Sequence, residues 1–191
     1  MLAAMLSATL AACGGGGDAA PEAGPQGLSA ANGRWGGSCA SSVSNVKKAG
    51  TDTSLSLGLE FNWQAENGKL VGTRTIRVYE ATDCSGTALA TLTSAVALTD
   101  RGTTAASGKT ATKVDFAMDA LMPGFSATTI TINQVTYLNG DGRWTTPDNF
   151  KELIYAEGDR LFTSEDDAAT DAQGYPTTLD LAPSSALVRL N

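Results

Sequence analysis

The chain has 191 residues, with 20 acidic against 13 basic side chains for a net charge of −7, and it contains no histidine. Without an imidazole there is no Ser-His-Asp or Cys-His pair, no histidine general base and no His-ligated zinc or haem. A hydrophobic content of 42% with 17% charged residues fits a folded chain, and scattered basic residues in an acidic chain give no expectation of nucleic acid as a partner.

Residues 1–12 are an apolar, uncharged run, too short to cross a bilayer as a helix and fitting the apolar region of a secretory signal peptide. The run ends in Leu10-Ala11-Ala12-Cys13, which resembles the lipobox of bacterial lipoproteins. That resemblance implies cleavage before Cys13, acylation of its thiol with palmitate-like chains, and anchoring in the bacterial cell envelope, at the outer membrane. No Lys or Arg precedes the run, so the true start is expected upstream of Met1. Residues 13–31 are read as the lipidated cysteine and a flexible Gly/Ala/Pro linker, of which 14–30 would reach about 20–25 Å as a random coil. Gly14 to Gly17 lack the Lys-Ser/Thr of a phosphate cradle and belong to this linker. With Cys13 set aside, Cys39 and Cys84 form a single pair in an exported chain, which predicts one disulfide.

From Asn32 to Asn191 the pattern is that of one β domain. Leu55, Leu57, Leu59, Phe61 and Trp63 alternate with polar residues, which predicts a half-buried strand with Trp63 in the core. Asn67-Gly68 suits a hairpin turn, and the chain returns through Leu70 to Tyr79. Further strands are expected at about Thr87 to Leu98 and over Val114, Phe116 and Met118, with Lys109, Lys113 and Asp115 facing water. Residues 128–138 change parity near Asn133, which suggests a β-bulge. A hairpin is expected where 153–155 returns as 161–163, followed by segments at Thr177 to Leu181 and Ala186 to Leu190. Eight or nine short strands in sequential hairpins close most simply as an all-β, antiparallel meander barrel of about eight strands, with a β-sandwich as the alternative.

Gly33-Arg34-Trp35 opens the first strand and resembles the Gly-x-Trp signature of the lipocalin and calycin barrels. The resemblance implies that Trp35 plugs one barrel end while a cation near the last strand, here Arg189, packs over its ring. Gly142-Arg143-Trp144 repeats the tripeptide, with Trp144 expected partly exposed in a loop, and Tyr175-Pro176 reads as a rigid turn.

Negative charge gathers in Glu157, Asp159, Glu165, Asp166, Asp167 and Asp171, against Arg160 alone. Dense oxygen ligands of this kind suit Ca²⁺ or a partner's surface, although the spacing is not that of an EF-hand, and a solvated acidic loop is the preferred reading. No pair of acids is placed as a glycosidase needs, so no catalysis and no cofactor are expected. Two readings stay open for a monomeric, lipid-anchored domain. One is an interaction module for an envelope protein or polymer; the other is a carrier of a small apolar or amphipathic ligand in a hollow barrel.

Overall fold

The computed structural model describes residues 27–140 and 142–191. A one-turn 3₁₀ helix, Leu28–Ala31, leads into strands β1 (Gly33–Gly36), β2 (Ala40–Lys48), β3 (Ser54–Glu66), β4 (Lys69–Tyr79), β5 (Ala90–Ala106) and β6 (Lys109–Met118). The hairpin β7 (Thr129–Ile132) and β8 (Val135–Leu138) follows, then β9 (Asp148–Glu157), β10 (Arg160–Phe162) and β11 (Leu187–Leu190). Eight of these close into an antiparallel barrel of lipocalin-like architecture, in the order β1-β11-β10-β9-β6-β5-β4-β3 and back to β1. The meander is interrupted twice, by β2 and by β7–β8, and the two insertions pair with each other outside the barrel.

The long strand β3 makes this possible. Its second half, Glu60 to Trp63, pairs with β1 and closes the barrel, while its first half, Ser54 to Leu57, pairs with β2 and carries the three-stranded flap β2-β8-β7. Apolar alternation along β3 and β5 supplies both interiors. Phe61, Trp63, Val96 and Leu98 join Trp35, Leu70, Val114 and Phe116 inside the closed half. Leu55, Val78, Ala90 and Leu92 pack with Val46, Val135, Tyr137 and Trp144 under the flap. A third cluster, Ala106, Ala111, Leu153 and Leu179, lies where the chain between β10 and β11 covers the outer wall of β5, β6 and β9.

Several local expectations change. Leu28 and Ala31 belong to the barrel core, so the folded body begins before residue 32, the boundary expected from the sequence. The parity switch near Asn133 is a two-residue hairpin turn: Asn133 and Gln134 both have positive φ, 49° and 66°, and Ile132 pairs with Val135 on one face. The same chemistry at Asn67-Gly68, φ 49° and 76°, gives the expected β3–β4 turn. Strand β5 runs on to Ala106, bending through a register shift between Asp100 and Thr103. The segment at 177–181 contributes one isolated bridge, Leu179 to Ser164, rather than a strand. Lys113 keeps only 14% of its side-chain surface exposed, because the 164–182 segment folds over it. Trp144 is buried at 3% exposure, its ring 5.5 Å from that of Tyr137.

Gly72 is required by close packing in the wall: a Cβ there would lie 1.9 Å from the carbonyl oxygen of Asn62 on β3.

Candidate functional site: a plugged barrel, an acidic flank and an open edge

One end of the barrel is closed by Trp35. Its ring is fully buried, its Nε1–H donates to the Ala31 carbonyl at 2.7 Å, and the Arg189 guanidinium lies 4.2 Å over the ring centroid. Arg189 also donates to the carbonyls of Asn32 at 2.8 Å and Ala30 at 3.0 Å, which clamps the 3₁₀ turn across the opening. Gly33 has φ +121°, and a Cβ at that position would come within 2.7 Å of the Arg189 guanidinium, so the first residue of the Gly-x-Trp tripeptide is dictated by this contact. Leu121, Met122 and Trp144 belong to the core under the flap toward the other end, where the Met122 amide donates to the Trp144 carbonyl at 2.8 Å.

Between the ends, the interior is occupied by aromatics. Phe61, Trp63 and Phe116 meet at centroid distances of 4.9 to 6.1 Å, and Phe150 stacks on Phe116 at 4.9 Å and 8°. Such contacts add to area burial and leave the rings little freedom. Arg74 also enters this interior, a residue that the sequence alone does not single out. It follows the inward parity of Leu70 and Ile76, and donates to Ser94 Oγ at 3.2 Å and to the Asp119 carbonyl at 3.3 Å. Burial pushes it below the ordinary arginine value and the charge of Asp148 pulls the other way. The alternation of β4 was the available signal.

Cys39 and Cys84 are joined as a disulfide, with Cα atoms 5.7 Å apart. Cys13 lies outside the described residues. The six acids are not gathered in one place. Glu157 accepts from Lys109 at 3.0 Å and from the Tyr155 hydroxyl at 3.0 Å; Glu165 accepts from Thr178 at 2.8 Å. Asp171 receives Lys113 at 2.6 Å, together with the amides of Gln173 and Tyr175, and the Lys113 bond, with that of the Tyr175 amide, holds its carboxyl at about 2. Asp159, Asp166 and Asp167 are exposed. Among the described residues no three metal-ligating side chains come together. The acids are therefore split: Glu157 links β9 to β6 through Lys109, Glu165 and Asp171 fasten the 164–182 segment, and Asp159, Asp166 and Asp167 stand exposed.

Tyr175 completes the fastening. Its hydroxyl donates to Asp115 at 2.6 Å, and the ammonium groups of Lys113 and Lys151 sit 5.2 and 4.9 Å from its ring centroid. This is the turn expected at Tyr175-Pro176, with the ring buried at 6% exposure rather than presented to solvent.

Glu152 marks the fork where β10 leaves β9. Its Oε1 accepts from the amide of Leu153 at 2.8 Å, from the amide of Ser164 at 3.0 Å and from the Ser164 hydroxyl. Burial raises its pKa above the ordinary carboxyl value, two amide hydrogen bonds oppose the shift, and the nearby charge of Asp166 adds to it. A raised folded-state pKa means that the native state binds more protons than the unfolded one between the two values. Stability from this group is thus full below the unfolded pKa and is lost as pH rises through the folded one. Glu152→Gln keeps the Oε1 acceptor and removes the buried charge. It is expected to raise stability at pH 7, by on the order of 1 kcal/mol or less, and to lose that advantage near pH 4. Urea unfolding at the two pH values checks it.

The geometry defines a class: a closed antiparallel barrel of lipocalin-like architecture, aromatic-filled, with a three-stranded flap. No family model, curated protein or solved structure matches the chain.

Proposed function

We propose that the protein is a non-catalytic, lipid-anchored module of the bacterial cell envelope whose β domain binds an envelope protein or polymer through its outer surface. The observation that carries this reading is the occupied interior: Trp35, Phe61, Trp63 and Phe116 fill the space an eight-stranded barrel would need for a ligand. Acylation of Cys13 supplies the anchor, and residues 14–26 the tether. Asp166 and Asp167 belong to the working surface, since neither is used as a fastener of the fold. The full chain, immobilised and exposed to fractionated envelope extract, is expected to bind one component saturably. Neutralising the pair as Asp166→Asn and Asp167→Asn is expected to weaken that binding at least tenfold at low salt. Absence of saturable binding to any fraction overturns the proposal.

A carrier of a small amphipathic ligand is the second reading, and one observation favours it. Phe150 shares the inner face with Phe116 yet is 37% exposed, so the interior opens to solvent beside it.

A further inference from the structure

The closed half of the barrel relies on short strands, and they end early. Strand β9 pairs with β6 over seven residues, Asp148 to Ile154, but with β10 only from Tyr155 to Glu157. On the side away from β6, its first half therefore has no strand beside it. The Leu153 amide turns to that side, where Glu152 caps it, so by the period of a strand the amides of Asn149 and Lys151 point the same way. Among the described residues, the backbone of 148–152 makes no hydrogen bond outside the β6 ladder.

Exposed sheet edges are ordinarily blunted by a bulge, a proline, a free lysine or a covering loop. The β6–β9 register has no bulge, and the proline stands before the strand, at 147. The one lysine is turned away, its ammonium bonded to the Gln173 carbonyl and set over the Tyr175 ring on the outer wall. The opposite edge of the flap, β7, is only four residues long. Acids flank the open stretch: Asp148 at its start, Glu152 at the fork, and Asp166 close enough for its charge to act on Glu152. Arg74 lies near enough on the inner face to feel the charge of Asp148. Half-exposed Phe150 lies in the middle.

We propose that β9 residues 148–152 are a strand-addition site for an extended, basic segment of a partner protein, one that bonds its backbone to Asn149 and Lys151 and lays an apolar side chain on Phe150. The inference rests on the interaction-module reading and narrows it to a polypeptide partner recognised by main-chain hydrogen bonds and charge. The flanking acids choose the basic segment, and Phe150 sets the register.

The test uses the full chain and a displayed library of random 12-residue peptides, with Asn149→Pro as the counter-selection. Proline at 149 removes an outward N–H and leaves the β6 ladder intact. The expected result is a consensus of Lys or Arg around an apolar residue, at least tenfold weaker binding to the variant, and slowed hydrogen exchange at Asn149 and Lys151 on binding. Peptides that bind wild type and variant equally overturn the site, and so does a lack of selected binders. Slow exchange at those two amides in the free protein also overturns it, because it would mean that the edge is already covered. A dimer that Asn149→Pro dissolves assigns the edge to a second copy and overturns the heterologous partner. The two readings fail separately: an envelope component retained equally by Asn149→Pro removes the edge site and leaves the module standing.

Discussion

Trp35→Ala is expected to cost about 3–5 kcal/mol of unfolding free energy, the range for emptying a buried aromatic site. The indole is fully buried, and three layers depend on it: the Leu28–Ala31 turn through the Nε1–H bond, Arg189 through the ring face, and the β1 ladder that closes the barrel on both β3 and β11. Loss of the ring leaves a guanidinium with nothing to cover and an Ala31 carbonyl with one donor fewer. Native domains are marginal by about 5–15 kcal/mol, so the variant is expected to be largely unfolded at modest urea concentration. Trp35→Phe keeps a ring and is expected to lose less, about 1–3 kcal/mol, through the missing hydrogen bond and reduced area. A double-mutant cycle with Arg189→Leu isolates the ring–cation coupling, expected at about 0.5–2 kcal/mol. A loss below about 1 kcal/mol for Trp35→Ala in urea unfolding contradicts the plug.

Replacing Cys39 and Cys84 by serine is the second large effect. The bridge spans a sequence separation of 45 and ties the β1–β2 connection to the β4–β5 loop, so it holds the root of the flap to the barrel wall. In the chain-entropy picture a loop of that length is worth about 4 kcal/mol, and losses on removal of native bridges run at about 2–5 kcal/mol. The variant is expected to unfold at lower urea by about 2–4 kcal/mol, with Thr82 and Ser56 nearby losing the sulfur contacts they make now. Reduction of the wild type with dithiothreitol should reproduce the shift. Equal midpoints for oxidised and reduced protein contradict it.

How much of this was legible in the sequence depends on whether the cause was local. The alternation from Leu55 to Trp63 and the Asn67-Gly68 turn are local, and the structure has both. Strand β2 is Ser- and Asn-rich, with Val43 and Val46 out of step for a strand, and it forms because β8 pairs with it from far along the chain. The apparent bulge at Asn133 was a hairpin whose turn residues look like strand once parity alone is read. Trp144 follows a Gly-Arg turn and looked exposed, yet the flap core closes over it. The acids at 157–171 were visible as a cluster in sequence, whereas Lys109 and Lys113, which bind two of them, sit on β6 and bear no local mark of it. The contact of Trp35 with Arg189 is implied by the Gly-x-Trp resemblance alone, since no periodicity relates the two residues. The unguarded β9 edge was invisible, because it follows from where β10 stops.

A barrel interior filled by the protein's own side chains leaves no room for a bound ligand. Native mass spectrometry of the full chain recovered from a periplasm, compared with the same sample after denaturation, tests this without a guess about ligand. Any covalent acyl mass is present in both measurements and cancels. Equal masses are predicted. A stoichiometric extra mass that disappears on denaturation would contradict the filled interior and assign the protein to the carriers.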